Sequence, residues 1–259
     1  MITTILLVTA VILLCLFLTR ISGKIGMPAL LAFIVLGMVF GTDGILKIPF
    51  DDFSVAEEVC SVALIFIMFY GGFGTNWKQA RPVAGKAVLL SSVGVLVTAL
   101  LTGLFCYFVL HFTFWEGMLM GAVVSSTDAA SVFSILRSKK LDLKYNTASL
   151  LEIESGSNDP CSYMLTVIIL SVMSGDVSGG SLVLLIITQV VFGILVGIVV
   201  AKAAGFALTK ITFSNDGFDT IFVFCMALLA YAAASALGGN GYLSTYIAGI
   251  LLGNMSLHN

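Results

Sequence analysis

Nine apolar runs divide this chain, at about residues 3–19, 28–41, 55–73, 84–110, 115–136, 146–174, 180–209, 217–237 and 241–255. A bilayer core about 30 Å thick asks for roughly 20 apolar residues per helix. A run of that length has only two good fates, a membrane span or a deeply buried core helix. Composition decides between them: 59% of the 259 residues are hydrophobic and 10% charged, whereas a soluble domain is nearer half apolar and a quarter charged. The runs are read as spans of an all-α, polytopic membrane protein, the second being short for one. The first run has no basic residue before it, with Arg20 and Lys24 after it, so it reads as a span with an outside N-terminus and not as a cleaved signal.

The basic residues give the topology. With the N-terminus outside, Arg20, Lys24, Lys78, Arg81, Lys86, Arg137, Lys139, Lys140, Lys144, Lys202 and Lys210 all fall on the inner side, and Lys47 stands alone outside with Asp43, Asp51, Asp52, Glu57, Glu58, Glu116 and Asp176. Such asymmetry is the positive-inside pattern, and removing one span would scramble it. The C-terminal end then lies on the cytoplasmic side. Trp77 and Trp115 sit at span ends, where interfacial aromatics concentrate. The net charge of −2 gives no reason to expect a nucleic-acid partner; the lipid bilayer is the surrounding medium.

Other features are read as structural. Cys15, Cys60, Cys106, Cys161 and Cys225 lie in apolar runs, spaced too widely for a zinc motif, and are expected as small buried apolar residues. His111 and His258 stand at span ends and build no catalytic or metal cluster. Gly117 and Gly121, Gly193 and Gly197, and Gly249 and Gly253 have the spacing of close helix packing. The 212–220 stretch, TFSNDGFDT, reads as an inner turn. No cofactor motif is present, and intramembrane proteolysis lacks its aspartyl pairs or a deep histidine.

The polar exceptions carry the chemistry. The fifth run contains SSTDAAS, with Ser125, Ser126, Thr127 and Asp128 near its middle. The sixth contains LEIESGSNDP, and at about 1.5 Å per residue Asp159 lies about 20 Å from the inner end. The two runs point in opposite directions, so Asp128 and Asp159 reach similar depth. A carboxylate there costs at least about 2.5–3.5 kcal/mol, which argues against an incidental placement. Ser155 and Asp159, and Glu154 and Asn158, are i,i+4 pairs; Ser155 and Asn158 are i,i+3, so the four form one strip. Pro160 lacks an N–H and clashes with the carbonyl of Gly156, which predicts a bent sixth helix. The hydroxyls of SSTD compete for backbone groups and predict a break in the fifth. Broken helices meeting at mid-membrane are a transporter device. Oxygen ligands suit hard monovalent cations. Burial disfavours a charged carboxylate and an adjacent cation favours it, so proton and cation compete for Asp159.

STDAASVFSIL followed by LEIESGSNDP resembles the cation/proton antiporters of the NhaP-type exchanger family, and GMPALLAFIVLGMVFG and GILLGN fit it too. The resemblance implies a sodium/proton antiporter-like fold over residues 1–259, with core helices at about 115–136 and 146–174, both broken or unwound and crossing at mid-membrane. It implies a secondary active carrier, not an enzyme, in the plasma membrane, exchanging K+ or Na+ for protons in pH homeostasis, as a homodimer. Asp159 would exchange proton for cation, with Ser155 and Thr127 beside it on the metal ion; Asn158 stands where electrogenic relatives carry a second aspartate, which implies electroneutral exchange. Asp128 and Glu154 would complete the site. Glu152 lies one turn nearer the cytoplasm, either on the cation's way in or in a structural hydrogen bond. Tyr70 in FYGGFG occupies a place that is acidic in the family. Family members also have twelve or thirteen spans with a basic residue in a later core span, so the chain resembles the N-terminal part of an antiporter, and the 259 residues alone are expected not to transport. A different class stays open, a short cation-responsive sensor or structural partner without transport.

Overall fold

The computed structural model describes residues 2–25, 29–50, 52–138, 143–175, 179–210 and 217–255. Asp51, Lys139, Lys140, Asp176, residues 212–216 of the expected inner turn and His258 lie outside the described residues. Among the described residues every regular element is helical: α1 (Ile2–Ile25), α2 (Ala29–Phe40), α3 (Phe53–Phe73), α4 (Trp77–Ala80), α5 (Ala84–Leu89), a π-helical turn (Leu90–Gly94), α6 (Val95–Phe108), α7 (Phe114–Val124), α8 (Ala129–Ser138), a 3-10 turn (Lys144–Asn146), α9 (Thr147–Met173), α10 (Gly179–Lys210), α11 (Phe218–Ala236) and α12 (Gly241–Gly253).

Each apolar run is thus helical, but five helical stretches are both long and apolar enough to cross a membrane: Ile5–Ser22, Phe53–Phe73, Ala84–Phe108, Ser181–Lys210 and Phe218–Ala236. Five of the nine expected spans meet that measure, and the reasons why the other four fall short of it differ. The second and ninth runs give helices of 12 and 13 residues. The fifth is split into pieces of 11 and 10 residues. The sixth is long enough, with 27 residues, but its first half carries the polar strip. At 32 residues, α10 is about 48 Å long, so it overreaches a 30 Å core. This is a multi-pass membrane architecture.

The chain forms two compact units, Met1–Glu58 and Val59–Asn259. In the first, α1 packs along α2, and Asp52 Oδ1 accepts from the backbone N–H groups of Ser54 and Val55, each at 3.1 Å, capping the start of α3. In the second, α10, α11 and α12 pack together, α6 packs on α7, and α9 touches α5, α6, α7, α8, α10 and α12. Its core gathers Ile65, Met68 and Phe69 of α3, Phe133 of α8, Ala201 and Ala204 of α10, Ala227 of α11 and Tyr246 of α12. Outward faces are equally apolar: Val199 and Phe206 are 64% and 67% exposed. A soluble protein does not carry so much exposed apolar surface; a bilayer accepts it. The cysteines follow the same logic. Cys106 is buried, but Cys60 and Cys225 are exposed, which corrects the expectation of burial for all five: an apolar run in a membrane has a lipid-facing side as well as a core side.

The paired glycines are used within the chain. A Cβ on Gly117 would lie 2.7 Å from the Gly103 carbonyl oxygen of α6, and one on Gly121 2.9 Å from the Gly103 nitrogen. A Cβ on Gly197 would lie 2.6 Å from the Ser244 carbonyl oxygen of α12, and one on Gly249 3.0 Å from the Phe73 nitrogen of α3. The far end of α12 is fastened too: Asn254 Nδ2 donates to the Thr75 carbonyl at 2.8 Å, and its Oδ1 accepts from the Trp77 N–H at 2.9 Å.

Candidate ion site

The fifth run breaks where its hydroxyls predict. Helix α7 ends at Val124, and the Ser125 hydroxyl donates to the Ala122 carbonyl at 2.7 Å, taking an acceptor that the helix would otherwise use. Ser162 of α9 donates to the same carbonyl, also at 2.7 Å. Helix α8 starts at Ala129, with Asp128 as its cap. The Asp128 carbonyl accepts from Val132 N at 3.1 Å, and its carboxylate accepts from the Ser131 N–H at 3.2 Å and from the Ser131 hydroxyl. Residues 125–128 between the helices therefore present Ser126 and Thr127 to α9.

The sixth run does not break. Helix α9 continues from Thr147 to Met173 with Pro160 inside it, so the expected second unwound helix is absent. Gly156 is explained by packing instead of by loosening: a Cβ there would meet the ring of Tyr246, 2.7 Å from its hydroxyl oxygen. Tyr246 in turn donates to the Glu152 carbonyl at 3.4 Å.

Continuity of α9 keeps the strip in register. Asn158 is fully buried and Ser155 is 1% exposed, while Glu154 and Asp159 are half-buried. Asn158 Nδ2 donates to Thr127 Oγ1 at 2.6 Å and to Glu154 Oε1 at 3.2 Å; its Oδ1 accepts from the Ser126 hydroxyl at 3.4 Å. The Ser155 hydroxyl lies 3.2 Å from Thr127 Oγ1 and donates to Glu154 Oε2 at 3.2 Å. The Ser126 hydroxyl also donates to Asp159 Oδ1. Thus Thr127, Glu154, Ser155, Asn158 and Asp159 come together with Ser126. Asp128 stands next to them in sequence but its carboxylate is engaged at the α8 terminus.

Three contributors were given no role from the sequence. Ser126 sits inside the SSTD motif, and only the break turns its hydroxyl to Asp159. Ser162 follows Asp159 by three residues, which places it on the same side of α9. Asn240, flanked by glycines at a run boundary, has the mark of a helix cap, but no sequence signal says that it reaches α9. Its Nδ2 donates to the Pro160 carbonyl at 3.1 Å. Glu152 and Tyr70 line one cavity of about 370 Å³ with Asn76, Gln79 and Ser149, beside the helix ends at 74–79 and 148.

The donor set is oxygen apart from the Asn158 nitrogen: two carboxylates, three hydroxyls and an amide oxygen. It suits a hard cation that keeps a partial shell of carbonyl, hydroxyl and carboxylate ligands.

Comparison with known proteins gives the family. The family model described as "Sodium/hydrogen exchanger, transmembrane" matches residues 8–259. The K(+)/H(+) antiporter NhaP of Alkalimonas amylolytica is 36% identical over 255 residues, covering 98% of this chain and 44% of that protein. The K(+)/H(+) antiporter NhaP2 of Shewanella baltica (strain OS223) is 37% identical over 243 residues, covering 92% and 41%. The chain therefore spans less than half the length of these relatives. The solved structure of the sodium proton antiporter MjNhaP1 from Methanocaldococcus jannaschii at pH 8 superposes with a TM-score of 0.81 at 24% identity, over 98% of this chain and 62% of that one, which is a likeness of fold. With a matching family model over almost its whole length, this chain belongs to the transmembrane sodium/hydrogen exchanger family.

Proposed function

We propose that the chain serves a secondary active carrier, not an enzyme, that exchanges protons for K+ or Na+ by competition at Asp159. One observation carries the reading: a carboxylate on an uninterrupted helix meets hydroxyls from a broken one, in a cluster of oxygens closed by hydrogen bonds. Protonated, Asp159 is neutral and needs no counter-ion. Ionised, it offers a cation its own oxygens together with those of Ser155 and Thr127, and the Ser126 hydroxyl has to yield to admit it. Asn158 cannot ionise, and its amide N–H groups face Thr127 and Glu154. One proton is then traded for one monovalent cation, an electroneutral exchange. The potassium and sodium relatives support the substrate class.

The same reading takes all nine runs, residues 1–259, as membrane-crossing parts of the exchanger. It sets the N-terminus outside and the C-terminal end at the cytoplasm of the plasma membrane, and makes the working unit a homodimer. The test is reconstitution of the full native reading frame in liposomes with an acidic interior and a pH dye, adding sodium, potassium and lithium salts in turn. Collapse of the gradient by a cation in wild type and not in Asp159→Asn supports exchange at that carboxylate, and the active salt names the substrate. An equally active Asp159→Asn variant sinks the assignment. Competition adds a second signature: the cation half-saturation should rise as pH falls, because the proton holds the same group.

A further inference from the structure

Pro160 leaves α9 one internal hydrogen bond short, since it has no N–H to give the Gly156 carbonyl. The turn thus weakened, 156–160, is the one that carries Asn158 and Asp159. Helix α12 touches both of its flanks. At one end Asn240 Nδ2 donates to the Pro160 carbonyl at 3.1 Å. At the other the Tyr246 ring lies against Gly156, and its hydroxyl donates to the Glu152 carbonyl at 3.4 Å. Asn240 is 1% exposed and each of its groups is engaged: Oδ1 accepts from the Leu243 N–H at 3.0 Å as the α12 cap, and its own N–H donates to the Gln189 carbonyl of α10 at 2.9 Å. A buried side chain fixed this firmly is a rigid reference for the group that it holds.

We propose that Asn240 is a positioning residue for the ion site: from the cap of α12 it holds the Pro160 carbonyl, and so keeps Asn158 and Asp159 in register with the Ser126 and Thr127 hydroxyls, with Tyr246 as the second point of support. The proposal rests on the exchange reading above. It accounts for a helix that stays continuous across its proline, and for a glycine at 156 that lets Tyr246 approach the backbone.

Two variants separate positioning from capping. Asn240→Ser keeps an N-cap oxygen of comparable quality, but its short hydroxyl cannot both serve the cap and reach Pro160. Asn240→Asp keeps the length and the cap and removes the donor. Carried in the full native reading frame and assayed in liposomes, both should raise the cation half-saturation about five-fold or more, the loss of one net hydrogen bond, while the maximal rate stays within about two-fold. The pH profile of the rate should shift with the half-saturation, and cation-dependent thermal stabilisation in detergent should need correspondingly more salt. Unchanged half-saturation and pH profile in both variants, with wild type active, overturn the proposal alone. Variants that fail to assemble, or that lose maximal rate and melting temperature with half-saturation intact, make Asn240 a folding residue only and overturn it as well. A wild type that moves no cation removes the exchange reading, and this one with it.

Discussion

Asn158 and Thr127 meet across two helices, amide nitrogen to hydroxyl oxygen at 2.6 Å, and that contact joins the broken helix to the unbroken one. The amide is fully buried, so its N–H has no water to fall back on. Removing one partner of a buried bond costs about 1–3 kcal/mol, more than the bond itself contributes. Thr127→Val keeps shape and removes the hydroxyl. It is expected to raise the cation half-saturation by about ten-fold and to lower the melting temperature, whereas Thr127→Ser stays near wild type. Dye-monitored exchange and a detergent melting curve check both. A valine variant with wild-type half-saturation would detach Thr127 from the site.

Asn158→Asp replaces two N–H donors with a second acceptor facing Glu154. The substituted side chain repels Glu154 wherever both are ionised and donates again once protonated. Its stability deficit against wild type is therefore expected at neutral pH and should shrink as pH falls. Melting temperatures of the two proteins across pH 4 to 8 measure this. A deficit that grows toward acid pH would contradict it.

Asp128 is tested as a cap. Asparagine caps a helix about as well as aspartate, and alanine costs about 1 kcal/mol. Asp128→Asn is expected to melt with wild type and Asp128→Ala to melt lower. Equal melting of all three would mean that the bonds to Ser131 do not hold the start of α8.

Gly156→Ala and Gly121→Ala should both destabilise, but only the first should be rescued. At Gly156 the obstacle is the Tyr246 side chain, so Tyr246→Ala should recover part of the loss in the double variant. At Gly121 the obstacles are backbone atoms of Ala99 and Gly103, which no trimming removes. Overpacking of this kind costs typically about 1–3 kcal/mol. The readout is a double-variant melting comparison; recovery at Gly121 by a side-chain trim would refute the backbone account.

The sequence was legible where side-chain periodicity and local competition decide structure. The helical runs follow from apolar length, the break at 125–128 from three hydroxyls and an aspartate in succession, and the polar strip on α9 from i,i+3 and i,i+4 spacing. It misled in the expectation of a second broken helix at Pro160, because a local rule for proline takes no account of a neighbouring helix packed along the same turn. It misled at Cys60 and Cys225, because hydropathy does not distinguish a lipid face from a core. The Asn240 contact joins positions 80 residues apart, and nothing in the chain near either residue encodes it. Asp128 looked equivalent to Asp159 because depth alone was read; the direction of its carboxylate is fixed only once α8 exists.

The break between α7 and α8 has an electrostatic consequence. A helix N-terminus carries roughly half a positive charge, and α8 begins beside the oxygens of the proposed cation site. Left bare, that terminus would push the cation away. The Asp128 carboxylate lies on it and bonds the first turn, so the positive pole is cancelled by the residue that creates it. The C-terminus of α7, with its surplus of carbonyls, is negative toward the same gap. The four residues left unwound between the helices, about one turn, thus turn a repulsive dipole junction into one that favours the cation of the proposed exchange, with the backbone already in place.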